Sequence, residues 1–307
     1  MLFEPFNLAG IRLKNRIVRS ATYEKRADDD GFVTDSIIGL YETLAKGGVG
    51  LIITGNALVH PSGRTITQML CIHSDRYIKG FERLTKAVHE LDGIIFLQLV
   101  HGGRQSLPIL LGGQMPMAPS AVYDPSTEVM PREMSDAEIW SIIDAFADAA
   151  RRARLAGFDG VQIHGAHGYL VSEFISPHTN RRDDYWGGDE ERRFHFVEEV
   201  YKAIRKEGGE DYPVIIKMNA DDCLDGGLKP DEASRVAKRL EALGIDAIEV
   251  SGGMYEAGKK TARLDILKPR DEAYFRDSAR LFKRNLNIPV ILVGGIRSRS
   301  IMEDILK

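Results

Sequence analysis

Two histidines and a tyrosine fall within six residues in His164-Gly165-Ala166-His167-Gly168-Tyr169. Imidazole and phenol groups trade hydrogen bonds and protons near neutral pH, and the small residues between them let the backbone turn tightly enough to aim both rings into one space. One chemistry for such a cluster is a pair of donors, His164 and His167, that polarises a carbonyl or nitro oxygen while Tyr169 gives a proton. The rival is a metal pair serving a hydrolase, with His101 or His178 as the third ligand. A third possibility is a binding protein in which the cluster performs no chemistry.

The cluster follows a short β-branched run, Gly160-Val161-Gln162-Ile163-His164, and six other runs share its character. They are Ile17-Val18, Gly50 to Thr54, Ile94 to Leu99, Val214 to Met218, Ala247 to Val250 and Pro289 to Val293, each followed by helical spacing. Ser135 and Glu138 form a capping box ahead of Ile139, Ile142, Ile143 and Phe146. A helix end, a glycine and a strand recur in Leu155 to Val161, in Leu243 to Ile248 and more loosely in Lys46 to Ile52, as repeated βα units would require.

Polar or glycine residues stand at the ends of nearly all the runs: Thr22 and Tyr23, Asn56, Gln98 and His101, Lys217 and Asn219, Ser251, Gly294 and Gly295. A doubly wound sheet gathers its site at one or two switch points, whereas a barrel draws side chains from many strand ends into one mouth. The pattern therefore predicts an α/β protein of the (β/α)₈ TIM-barrel class. No Gly-x-Gly-x-x-Gly follows the first strand, which counts against a dinucleotide-binding sheet. Phe6-Asn7-Leu8 and Ile11-Arg12-Leu13 around Ala9-Gly10 predict a β-hairpin covering the barrel floor. Seven runs are one short of eight, so the eighth βα unit is expected to lie outside these residues. Residues 1–307 read as one barrel domain, incomplete at its C-terminal end.

Gly294-Gly295 before a helix that Ser298 caps is where a barrel commonly holds a phosphate, since backbone N–H groups face the anion and glycine permits close approach. The segment 105–131, with Met115, Met117 and Met130, reads as a loop over the mouth, and Asn180 to Trp186 reads as a solvated loop before a helix over Glu190 to Arg205.

Of the 307 residues, 43% are hydrophobic, which is ample for a core and leaves no case for disorder. Lys and Arg total 41 against 45 Asp and Glu, so no basic excess points to nucleic acid; the small net charge is compatible with a homo-oligomer. No run approaches the ~18 apolar residues of a membrane span, and the N-terminus lacks a basic segment leading into an apolar one, so no membrane partner and a cytoplasmic location are expected. Cys71 and Cys223 are too few for a disulfide framework or an iron–sulfur cluster; redox chemistry would need an organic cofactor.

The segment from His164 through Leu170, continued by Glu173-Phe174-Ile175-Ser176-Pro177 and by Asn180 to Gly188, resembles the signature of the old yellow enzyme family of FMN-dependent NAD(P)H oxidoreductases. So do Leu13 to Val18, Gln98 to Arg104 and Pro131 to Ser135. The resemblance implies a barrel with FMN at its C-terminal mouth, NADH or NADPH as reductant and a small electron-poor acceptor such as an enone. It implies that Ser20, Ala21, Thr22 and Tyr23 line one edge of the flavin, that Asn56 lies near N5, and that Gln98 bonds the pyrimidine ring. Lys217 matches a basic residue beside N1/O2, usually Arg in the family, where a fixed cation stabilises the charge of the reduced ring. Gly294 and Gly295 become the phosphate contact, and His164, His167 and Tyr169 the catalytic group, with no metal ligand. The cluster cysteines of members fused to an iron–sulfur domain are missing.

Overall fold

The structure, a computed structural model, describes residues 1–264 and 266–307. It opens with the antiparallel hairpin of β1 (Phe6–Leu8) and β2 (Ile11–Leu13). The two-residue turn puts Ala9 at φ 50° and Gly10 at φ 81°, the left-handed pair whose twist suits the flanking strands. Among the described residues ten strands follow: β3 (Val18–Arg19), β4 (Leu51–Leu58), β5 (Leu70–Cys71), β6 (Ile95–Val100), β7 (Met117–Ala118), β8 (Arg132–Glu133), β9 (Gly160–Gly165), β10 (Val214–Asn219), β11 (Ala247–Ser251) and β12 (Val290–Leu292). The α-helices are α1 (Asp35–Lys46), α2 (Ile78–His89), α3 (Asp136–Leu155), α4 (Leu170–Ile175), α5 (Glu190–Gly208), α6 (Pro230–Leu243), α7 (Arg276–Asn285) and α8 (Arg299–Ile305).

Each of the seven β-branched runs is a strand. β3, β4, β6, β9, β10, β11 and β12 pair side by side in that order, parallel throughout. Helices between successive strands make this the expected TIM-barrel architecture, a nearly closed sheet whose path ends at β3 and β12. Local chemistry sets the helix boundaries. Ser135 and Glu138 complete the capping box of α3, Thr34 and Asp189 cap α1 and α5, and Gly244 ends α6 in the left-handed conformation.

Because strand side chains alternate, the barrel interior is layered. Leu51, Ile53, Phe96, Ile215 and Ala247 form an apolar floor, and Leu8 and Leu13 of the hairpin pack against it. This is the bottom cover the sequence predicts. Two residues further along the strands the inward positions turn polar: Gln98, Gln162, Lys217 and Glu249, all buried. Gln98 stands level with Asn56 and Gln162, and Lys217 level with His164 and Glu249. An apolar floor under a polar layer prepares the C-terminal end of this barrel for chemistry.

One loop expectation needs correction. Asn180 to Trp186 is not a solvated loop throughout: Asn180 and Trp186 are buried, Asn180 Nδ2 donates to the carbonyls of Phe174 (2.8 Å) and Trp186 (2.7 Å), and Trp186 Nε1 donates to Asp136 (2.7 Å). Arg182 donates to the carbonyls of Pro119 and Met134, so the segment fastens the 105–134 stretch to the barrel. Within that stretch Met117 is buried while Met115 and Met130 are exposed.

Candidate active site

β9 delivers His164 at its inward face, and the chain then turns sharply. His167 sits at φ 64° and Gly168 at φ 81°; the first is a conformation that costs a non-glycine residue on the order of 1–3 kcal/mol. Its neighbours hold it there. His167 N donates to Asn219 Oδ1 (3.1 Å), Gln105 Nε2 donates to the His167 carbonyl (2.8 Å), and Asp222 orients Asn219 through a 2.9 Å bond. A Cβ on Gly168 would lie 2.5 Å from Gln105 Nε2, so the turn needs glycine there.

The turn brings the three expected groups together. The ring centroids of His164 and His167 are 5.3 Å apart, and those of His164 and Tyr169 are 4.7 Å apart, both pairs edge to face. His164 Nδ1 accepts the Ala166 N–H (3.4 Å), which leaves Nε2 to carry the proton as a donor. His167 Nε2 lies 2.7 Å from Ser251 Oγ; a hydroxyl that donates there leaves Nδ1–H as the free donor. Burial, with smaller contributions from the other imidazole and from Lys217, holds the His164 pKa well below its ordinary value. Burial and Lys217 bring His167 down to about 3. Burial, reinforced by Tyr255, raises Tyr169 well above 10, so the phenol keeps its proton.

These shifts carry a sign. Both imidazoles are therefore neutral around pH 6.5, the value of a free imidazole, so a rate that depends on them should show no inflection there. Stability should behave differently. The folded pKa values lie below the unfolded one, so the stability is complete above pH 6.5 and is lost as pH falls from there toward the folded value of about 3. A melting temperature lower at pH 5 than at pH 7.5, alongside a pH-rate profile flat through 6.5, is the expected result; an acid limb at 6.5 would contradict the neutral pair.

Below the histidines the polar layer is one connected relay. Gln98 Nε2 donates to Gln162 Oε1 (2.7 Å), Gln162 Nε2 to Glu249 Oε2 (2.6 Å), and Glu249 Oε1 lies 3.5 Å from Lys217 Nζ. Lys217 Nζ also donates to Ser20 Oγ (2.9 Å) and reaches the Ala21 carbonyl (3.5 Å), which aims its charge at the segment after β3. Gln162 and Glu249 were not among the candidate residues, although polar side chains two apart from His164 and Ser251 in otherwise apolar strands are a readable signal. Across the barrel, Asn56 is buried and its Oδ1 has no hydrogen-bond partner, while Tyr23 donates to the Thr67 carbonyl (2.5 Å) and Thr22 Oγ1 accepts from Arg19 (2.9 Å). β4 approaches this edge closely because residue 55 is glycine: a Cβ there would lie 2.0 Å from Glu24 Oε2.

Gly294 and Gly295 follow β12 at φ 126° and 65°, and a Cβ on either would press within 3.1 Å of the Tyr274 ring. The capped helix beyond them differs from expectation. Ser298 makes no side-chain cap; Glu272 Oε2 takes the N–H groups of Arg297 and Ser298, each at 2.7 Å. The Ser298 hydroxyl donates to the other oxygen of the same carboxylate (2.5 Å), so a negative group already sits just ahead of α8, and the two glycines are what this end offers an anion. The third metal ligands considered above are also engaged elsewhere, His101 with Ser62 (3.0 Å) and His178 with Glu256 (2.9 Å). Among the described residues no group of three or more His, Cys, Asp or Glu is placed to hold a metal ion, and no helix is long and apolar enough to cross a membrane.

Comparison with known proteins places this geometry. The chain is 39% identical over 306 residues to an NADH oxidase of Thermoanaerobacter brockii, covering 99% of this chain and 46% of that protein. It is 38% identical over 308 residues to an NADPH dehydrogenase of a Geobacillus species, covering 100% of this chain and 86% of that protein. The chain therefore spans about half the length of the first of these relatives. The structure of an old yellow enzyme homologue from Zymomonas mobilis superposes with a TM-score of 0.84 at 27% identity, covering 99% of this chain and 85% of that one. The family described as NADH:flavin oxidoreductase / NADH oxidase matches residues 1–307. With its barrel, its paired histidines and its tyrosine in that frame, the chain belongs to the NADH:flavin oxidoreductase family of the old yellow enzyme type.

Proposed function

We propose that this chain is an FMN-dependent oxidoreductase that takes a hydride from NADH or NADPH and passes it to a small electron-poor alkene of the enone kind. One arrangement carries the reading: two neutral imidazoles and a protonated phenol stand together over a buried polar layer that includes Lys217. The names of the relatives, NADH oxidase and NADPH dehydrogenase, support the same class.

The residues fit FMN. Asn56 Oδ1, buried and without a partner, wants a donor such as a flavin ring N–H supplies, and Gln98 stands level with it on the next strand. Ser20, Ala21, Thr22 and Tyr23 would line one edge of the ring, with Lys217 beside its N1/O2 end and Gly294 and Gly295 at the phosphate. Bound there, FMN supplies a carrier of two electrons and a hydride between nicotinamide and acceptor.

The chain's own groups do the rest. His164 and His167 grip the acceptor's oxygen as neutral donors and draw electron density from the β-carbon, which favours hydride arrival there. Tyr169 gives its proton to the α-carbon, so hydride and proton together saturate the alkene. Lys217, braced by Ser20 and Glu249, holds a fixed positive charge where reduction builds negative charge. Residues 1–307 would act as one flavin-binding domain, in the cytoplasm, on a small-molecule acceptor and with self-association open to it.

The visible spectrum of the purified protein with FMN added, followed by NAD(P)H without oxygen, tests the class. Flavin bands that travel with the protein and bleach on addition are expected. A protein that leaves FMN free, and whose activity chelators abolish, would send the assignment to the metal-dependent alternative.

A further inference from the structure

Residues 255–260 form a 3₁₀ turn after β11, kinked at Gly258, and set Tyr255 against Tyr169 with ring centroids 6.1 Å apart. The turn leaves the barrel at Met254, whose N–H donates to the Asp222 carbonyl (3.1 Å) and which bridges to His167. Beyond Met254 its fastening is narrow. Among the described residues, the ion pairs that leave residues 255–260 for another part of the fold run through the carboxylate of Glu256: Arg104 Nη2 at 2.6 Å and His178 Nε2 at 2.9 Å.

Arg104 is unusual for an arginine because its side chain is 1% exposed. A buried guanidinium must be paired, and this one reaches several partners. Besides Glu256 it donates to the Tyr123 carbonyl (3.3 Å), contacts Met254 Sδ (3.8 Å) and approaches Asp124 Oδ2 (3.8 Å). Its backbone N–H is held by the buried Glu173 carboxyl of α4 (2.8 Å). One side chain on the β6 loop thus ties down two neighbouring segments, that of Tyr123 and that of Tyr255.

We propose that Glu256 is a positioning residue: paired with Arg104 and His178, its carboxylate latches the 255–260 turn to the barrel and so fixes Tyr255 beside Tyr169. The role rests on the reading of Tyr169 as the proton donor. A ring held edge-on to the phenol restricts where Tyr169 stands and walls the acceptor's side of the pocket, and small displacements of a donor cost rate steeply.

Glu256→Ala tests it through two readouts. Lys259 and Lys260 are exposed on the turn, so trypsin reports directly whether the turn is held. In the folded variant, cleavage after these two lysines should rise about tenfold while cleavage elsewhere is unchanged. Reoxidation of the reduced enzyme by an enone should slow about tenfold, with reduction by NAD(P)H unaffected. Should removal of the carboxylate beside buried Arg104 prevent folding, Glu256→Gln keeps the bonds without the charge and should raise the same cleavage about threefold. Unchanged cleavage in a folded variant overturns the latch whatever the activity. Accelerated cleavage in a protein that reduces no enone, before or after substitution, keeps the latch and overturns the reading of Tyr169 instead.

Discussion

Replacing Tyr169 by Phe should leave reduction of the enzyme by NAD(P)H within about twofold of its original rate and slow reoxidation by an enone about a hundredfold or more, the usual scale of a lost general acid. The separation follows from geometry. Tyr169 is 8% exposed and stands edge to face with His164, so its ring is packed and the phenylalanine ring fills the same space. What is lost is the hydroxyl and its proton. Taking a hydride from a nicotinamide needs no proton from the protein, whereas saturating an alkene needs one at the α-carbon. Because burial holds the phenol pKa well above its ordinary value, the wild-type rate should stay flat into alkaline solution, and solvent deuterium should slow reoxidation more than reduction. Stopped-flow traces of the two half-reactions read this directly. Equal slowing of both would remove Tyr169 from the proton-donor role and leave it as packing.

How much of this was legible beforehand depends on how local each signal was. The seven strands are apolar β-branched runs because a parallel sheet covered by helices buries both faces of its strands, and such runs survive any tertiary context. The His164 to Tyr169 group is equally local, since three functional side chains share one turn. Glu249 and Gln162 escaped because an interior polar layer exists only once strands 87 residues apart in sequence, joined by the Gln162 to Glu249 bond, face each other across the barrel. Arg104 and Glu256, 152 residues apart, are hidden for the same reason. The Asn180 to Trp186 segment misled by composition. Its charges suggest solvent, yet Arg182 spends Nη1 on two backbone carbonyls and its other donors on Asp184, and Trp186 is fully enclosed, so polarity there serves internal bonding. Ser298 misled in the opposite way: a good cap residue stands at the right place, but its hydroxyl donates to Glu272 (2.5 Å) and makes no cap to the helix.

Lys217→Met is the substitution expected to damage the fold as well as the chemistry. Glu249 is fully buried, shares one oxygen with Gln162, and has Lys217 Nζ at 3.5 Å from the other. Removing the ammonium strands a carboxylate in the barrel interior, a change that costs roughly 3–5 kcal/mol where one partner of a buried pair is deleted. For a domain of this size that is a fall of about 10 °C in melting temperature. Lys217→Met combined with Glu249→Gln leaves no stranded charge: glutamine still accepts from Gln162, and the methionine fills the lysine's stem volume. The double variant should recover most of the lost stability. It should not recover function, because the positive charge that favours negative charge on the reduced ring is gone, and the rate of reduction by NAD(P)H should remain about a hundredfold down. Melting temperature and reduction rate thus separate the two duties of one lysine. Were the double variant to reduce normally, the charge of Lys217 would serve only to neutralise Glu249, and the cation expected beside the ring would have to be sought elsewhere in the mouth.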